Sequence, residues 1–94
     1  MQHNGKQNIV EYINLPDSVD GITQETETCY IVLINADVPG TIQQHAIGHE
    51  LCHIFENHFH CEKPISDCEQ EAEEKAAAYY RVYCDSMSGD NQTL

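Results

Sequence analysis

Apolar side chains recur along this chain with two periods, and the change from one to the other divides it near the middle. Residues 9–15 (Ile-Val-Glu-Tyr-Ile-Asn-Leu) are rich in β-branched and aromatic residues and stop at Pro16. That pattern predicts a strand, because Pro16 lacks the N–H that would continue a ladder. Pro16-Asp17-Ser18 and Asp20-Gly21 supply turn chemistry, and a short strand is expected within residues 21–28. Residues 29–34 (Cys-Tyr-Ile-Val-Leu-Ile) are apolar without interruption, which predicts a strand buried on both faces. Pro39-Gly40 marks the break after it.

From Thr41 onward the period becomes helical. Ile42, Ala46, Ile47, Leu51, Ile54 and Phe55 share one face, predicting a helix over residues 42–58. Thr41 and Gln44 fit a capping box at its start, each side chain satisfying a free backbone N–H near the other. Gly48 sits inside this helix, where it costs about 1 kcal/mol relative to alanine. A residue without a side chain there would let another backbone come close. A connection containing Pro64 leads to a second helix, expected over residues 67–84. Its inward stripe is Cys68, Ala72, Ala76, Tyr79, Tyr80 and Tyr83. Glu71, Glu74, Lys75 and Arg81 lie largely opposite, facing water, with Glu71 and Lys75 forming a favourable i, i+4 pair. Residues 1–8 and 85–94 read as loose polar tails. Strands followed by helices predict a single α+β domain, a small antiparallel or mixed sheet packed on two helices.

Composition narrows the function. At 94 residues, with 40% hydrophobic and 21% charged side chains, the chain has the make-up of one globular domain. Its core is modest, so a bound metal ion would contribute usefully to folding. A net charge of -12 opposes binding to nucleic acid or to an anionic membrane and attracts cations. No apolar run reaches the length of a membrane span. The polar start, Met1-Gln2-His3-Asn4-Gly5-Lys6, lacks the apolar stretch of an export signal, so a cytoplasmic location is expected. Cys29, Cys52, Cys61, Cys68 and Cys84 contain no C-x-x-C pair and read as reduced thiols, not a disulfide framework. A structural zinc site drawing on Cys52, Cys61 or Cys68 has no standard spacing to support it.

The chemistry concentrates in His49-Glu50-Leu51-Cys52-His53, an H-E-x-x-H pentad on the first helix. Residues four apart lie on one face about a turn from each other, so both imidazoles can reach one Zn²⁺ ion. Glu50 then stands beside the ion, placed to take a proton from a metal-bound water. Chance could put such a pentad on the surface of an acidic, histidine-rich helix, so context must decide. A catalytic zinc takes three protein ligands and leaves one position open. Of the acids on the second helix, Glu69 precedes Ala72 by three and Ala76 by seven, placing it on the inward stripe. Glu71 is turned about 200° away at 100° per residue. Glu73, one turn after Glu69, is the second choice for ligand, or else a partner in the outer shell. Glu69 has a structural role open to it as well, because Ser66 and Glu69 fit a capping box and acids favour a first helical turn.

Residues from Tyr30 to about Tyr80 resemble the ImmA/IrrE-type metallopeptidases. In that family an apolar strand ends near an asparagine, a short loop leads to a helix with H-E-L-G-H, and a later helix carries E-x-x-A and small residues. Here the counterparts are Tyr30 to Asn35, then Thr41 to His53, then Glu69-Gln70-Glu71-Ala72 with Ala76-Ala77-Ala78. The resemblance implies a zincin-like fold, zinc held by His49, His53 and Glu69, and Glu50 as general base. It also implies peptide-bond hydrolysis of a regulatory protein, such as a repressor of a phage or other mobile element. Cys52 stands where glycine is usual, the span from His53 to Glu69 is short, and Tyr79-Tyr80-Arg81-Val82-Tyr83 replaces the family's apolar helix end.

On this reading the strand over residues 29–34 is a candidate sheet edge for an extended substrate to pair with, as zincin-like folds imply. His45, His58, His60, Tyr79, Tyr80 and Tyr83 are candidates to assist at the carbonyl. Packing is the more ordinary role for the tyrosines, and His58 and His60, in a connection, are expected to face water. The rival from another class is a module that keeps the fold and the metal but binds a partner protein without cutting it.

Overall fold

Strands come first and helices second, so the sheet is built from the leading part of the chain and covered by the rest. The computed structural model describes residues 2–92, with side chains through Met87. Four strands, β1 (Gln2–His3), β2 (Lys6–Ile13), β3 (Gly21–Glu25) and β4 (Cys29–Asn35), form one sheet in the order β1-β2-β4-β3. The β1–β2 and β3–β4 pairs are antiparallel and β2–β4 is parallel, so the sheet is mixed. Helices α1 (Gly40–Phe55) and α2 (Ile65–Gln92), joined through a 3₁₀ turn at His58–His60, complete the α+β fold. Among the described residues no helix is long and apolar enough to cross a membrane.

The N-terminal segment is not a loose tail. Asn4 and Gly5 both adopt positive φ, +54° and +76°, and turn the chain so that Gln2 pairs with Gln7 and His3 with Lys6. Two central residues with positive φ match the twist of an antiparallel pair, and Asn-Gly is the sequence that adopts them most readily. β2 therefore starts at Lys6, three residues before the apolar run, and ends at Ile13. The described part of the expected C-terminal tail, as far as Gln92, continues α2.

β4 is central, paired with β2 on one side and β3 on the other. This corrects the expectation that it is the free edge; the free edge beside the helices is β3. Nor is β4 buried on both faces. Tyr30, Val32 and Ile34 are buried against the helices, while Cys29, Ile31 and Leu33 alternate with them and stay half-buried. Both helices pack on the same face, so the sheet has one covered side and one side open to solvent. The core joins Tyr30, Val32 and Ile34 to Ala46, Ile47, Leu51 and Ile54 of α1, with Val10, Phe55, Tyr79, Tyr80 and Tyr83 packed around it. Each large aliphatic side chain buried there contributes about 1.5–3 kcal/mol.

The capping box at Thr41 does not form. α1 begins two residues earlier than expected, at Gly40, and its N-cap Pro39 makes no side-chain cap bond. The first-turn amides of Ile42 and Gln43 donate to the Pro39 carbonyl instead, both at 3.0 Å. α1 ends at Phe55, short of residue 58, because Asn57 turns left-handed at φ +60°. Asparagine accepts that conformation more easily than most residues. α2 starts at Ile65, with the amides of Asp67 and Cys68 bonded to the carbonyl of Pro64.

One contact decides how the helices meet. A Cβ at Gly48 would lie 1.8 Å from the carbonyl oxygen of Ala76, so the helices cross backbone to backbone at this point. Ala72 and Ala76 are fully buried along the same stripe, and Cys68 nearly so. This close approach holds the acidic side of α2 against the histidines of α1.

Candidate metal centre

His45, His49 and His53 recur every fourth residue on α1, and Glu69 and Glu73 do the same on α2. The two columns face each other beside the Gly48–Ala76 crossing. Oε2 of Glu69 lies 3.0 Å from Nε2 of His49 and 3.0 Å from Nε2 of His53. The ligand atoms of His49, His53 and Glu69 all fall within 4.8 Å of one another. Donors around a tetrahedral Zn²⁺ at about 2.0–2.1 Å sit roughly 3.3 Å apart, so small movements would seat an ion among them. The set is two imidazoles and one carboxylate, a borderline-soft group that suits zinc better than calcium or magnesium. His53 is buried and His49 largely so, while Glu69 is half exposed, so the point of convergence opens to solvent on one side.

Glu73 has a different setting. Its Oε1 lies 2.8 Å from Nδ1 of His49, the nitrogen turned away from Glu69, and its Oε2 lies 3.0 Å from Nε2 of His45. His45, His49 and Glu73 thus form a second group of possible ligands sharing His49 with the first. One neutral imidazole cannot offer lone pairs from both nitrogens. His49 Nε2 is turned to Glu69 and its Nδ1 to Glu73, so it can serve one group or the other but not both.

Glu50 stands at the wall of an open cleft of about 390 Å³, which His53, Glu69, Thr23 and Phe59 also line. Its Oε1 accepts a hydrogen bond of 2.7 Å from the Thr23 hydroxyl on β3. The free edge of the sheet is therefore tied directly to the pentad. A smaller cleft of about 220 Å³ continues past Glu50 and is lined by Gly21, Asp20, His49 and Glu73.

No protein-family model, curated protein or solved structure matches this chain. What the fold and the cluster establish by themselves is a small α+β protein with a His/His/Glu group able to hold a metal ion.

Two side chains expected to face water are drawn into the site's surroundings. His58 leaves the 3₁₀ turn inward, with a side chain only 3% exposed, and its Nδ1 lies 2.9 Å from Nδ1 of His53. Its other nitrogen lies 2.6 Å from Oε1 of Glu71. Glu71 is accordingly turned toward the 3₁₀ turn, where Lys63 and Lys75 also reach it, at 3.1 Å and 2.9 Å. Bonds from Lys75, His58 and Lys63 hold its carboxyl down to about 2. Helical angle alone misplaces Glu71, because it takes no account of a turn folding over that side of α2. His60 is half exposed and meets Glu25 at 2.8 Å. Tyr79 donates a 2.5 Å bond to Glu56 and stacks on Phe55, a packing role. Tyr80 and Tyr83 are packed against the core.

All five cysteines are free thiols, and among the described residues none joins either ligand group. Burial pushes the Cys52 thiol up to about 11, so at neutral pH it is an uncharged core side chain. Thr23 is the site residue that the sequence pattern did not disclose. A threonine in a weakly patterned edge strand carries no local signal, and only the sheet order brings it to Glu50.

Proposed function

We propose that this protein is a zinc-dependent peptide-bond hydrolase of the ImmA/IrrE-like type, with His49, His53 and Glu69 as metal ligands and Glu50 as general base. One observation supports the reading above all: a single oxygen of Glu69 lies 3.0 Å from Nε2 of both pentad histidines, and Glu50 lines the same cleft as His53 and Glu69. Zinc, when bound, supplies a Lewis acid for the carbonyl and brings its water to a pKa of about 7. The protein's own groups do the rest. Glu50 accepts the proton and returns it to the leaving amine, and the Thr23 hydroxyl holds the carboxylate in line. β3 offers an unpaired strand edge beside the cleft, on which an extended peptide can add as a further strand. By resemblance, the substrate is a repressor or similar regulatory protein of a mobile element, met in the cytoplasm.

Two measurements test the reading. Purified wild type should carry about one zinc per chain, and His49→Ala should carry none. Glu50→Gln should keep its zinc and lose about 10²–10⁴-fold in cleavage of repressor-like proteins or a peptide library. Equal zinc in wild type and His49→Ala would sink the site.

The uncovered sheet face favours a second reading, a metal-bearing module that binds a protein without cutting it. Ile9, Ile13 and Ile22 are 38%, 38% and 40% exposed on that face. Zinc bound equally, with wild type and Glu50→Gln both inert toward substrates yet both retaining a partner, would favour it.

A further inference from the structure

His58 meets His53 at bonding distance, Glu71 stands half-buried behind it, and neither has a part in the chemistry above. The contacts run in series. His53 Nδ1 lies 2.9 Å from His58 Nδ1, and His58 Nε2 lies 2.6 Å from Glu71 Oε1. Glu71 is anchored in turn by Lys63 at 3.1 Å and Lys75 at 2.9 Å.

The hydrogens can be followed along this series. An ionised carboxylate only accepts, so the hydrogen facing Glu71 belongs to His58 Nε2. On the metal reading His53 ligates through Nε2, so its own hydrogen sits on Nδ1, 2.9 Å from His58 Nδ1, which accepts it. The Nε2 lone pair of His53 then points at Oε2 of Glu69 from 3.0 Å. The series matches the one neutral tautomer of His53 that can ligate through Nε2, and it ends on Glu71, a carboxylate on the other helix.

We propose that His58, backed by Glu71, is a positioning residue that fixes the tautomer and ring orientation of His53 for metal binding. The inference rests on the metal reading given above. His58 touches neither the ion's place nor the general base of the cleft; it acts through His53. The connection between the helices thereby becomes part of the site. Outer partners of this kind are worth about 10–100-fold in metal affinity where they have been removed.

The test uses the full chain and zinc alone, with affinity read by competition against a chelator. His58→Ala and His58→Phe should both bind zinc about 10–100-fold more weakly than wild type. His58→Phe restores the packing but not the acceptor, so it separates the bond from the volume. His58→Gln, whose side-chain carbonyl can accept from His53 Nδ1, should recover most of the affinity. In the zinc-loaded wild type, ¹⁵N chemical shifts should show His53 protonated at Nδ1 and His58 at Nε2, a result that does not depend on any variant folding. Wild-type affinity in both His58→Ala and His58→Phe would overturn the proposal and leave the metal site standing. So would a His58 protonated at Nδ1 in the zinc-loaded protein. A wild type that takes up no stoichiometric zinc would overturn the metal reading itself, and this inference with it.

Discussion

Two residues carry more of the geometry than their size suggests. Gly48 is a helix-interior glycine, which propensity alone would count as a weakness of about 1 kcal/mol. Its missing Cβ is what lets α2 lie on α1, since that atom would fall 1.8 Å from the Ala76 carbonyl oxygen. Gly48→Ala should therefore destabilise the fold by about 1–3 kcal/mol despite its better helix propensity, read as a lower denaturant midpoint. Zinc affinity should fall with it, because Glu69 rides on the helix that must move. A variant as stable as wild type would show that the crossing is looser than drawn. Asn35 ends β4 fully buried, with Nδ2 donating to the carbonyls of Val19 at 2.9 Å and Pro16 at 3.3 Å. Its Oδ1 accepts from the Asp37 amide at 2.9 Å. Asn35→Ala strands those groups and should cost about 1–3 kcal/mol, measurable by the same unfolding curves.

At the scale of elements, the far end of the sheet is fastened by charge. Lys6 of β2 reaches across β4 to Glu25 of β3 at 2.7 Å, and His60 of the 3₁₀ turn meets the same carboxylate. Lys6 first, then His60, holds the Glu25 carboxyl down to about 2 from its ordinary 4.5. A carboxyl lowered by folding contributes stability that is present above its unfolded value and lost as pH falls toward its folded one. Between about pH 5 and pH 2, wild type should lose stability more steeply than Glu25→Gln; parallel curves would mean that solvent screens the contact away. These fastenings lie at the limit of what the chain's pattern discloses. The helices and the central strand follow from apolar periodicity, and the facing of Glu69 follows from its spacing to Ala72 and Ala76. The β1–β2 hairpin had its signal in Asn4-Gly5, but a polar strand two residues long has no periodicity to mark it. Which strand forms the edge is a matter of pairing order, and no local pattern separates β3 from β4 in that respect. His58 and Glu71 escape for a related reason: their roles depend on how the connection folds back over α2, and that path is set by tertiary packing.

The whole molecule combines a small core with a large negative charge. One face of a four-stranded sheet is covered and the other is open, so the apolar area withdrawn from water is limited. A net charge of -12 adds self-repulsion to the folded state. The acids are not spread evenly with respect to the fold, because Glu50, Glu69 and Glu73 gather around three histidines on the seam between α1 and α2. An ion bound there would join the two helices at the place where their backbones already touch, relieving repulsion and adding a cross-link together. Ligand that binds only the folded state at about a hundred times its Kd adds roughly 2.7 kcal/mol, and in a domain of this size each kcal/mol moves Tm by about 4–8 °C. Zinc in that excess should therefore raise Tm by about 10–20 °C, and a chelator should reverse the rise. Magnesium at the same concentration reports how much of any rise is mere screening of the acidic surface, and it should give only a small part of the effect. His49→Ala keeps the net charge but removes the histidine common to both candidate groups, so it should respond to zinc no more than to magnesium. If zinc and magnesium stabilise the wild type equally, the histidine column is a charged helix face and not a metal centre.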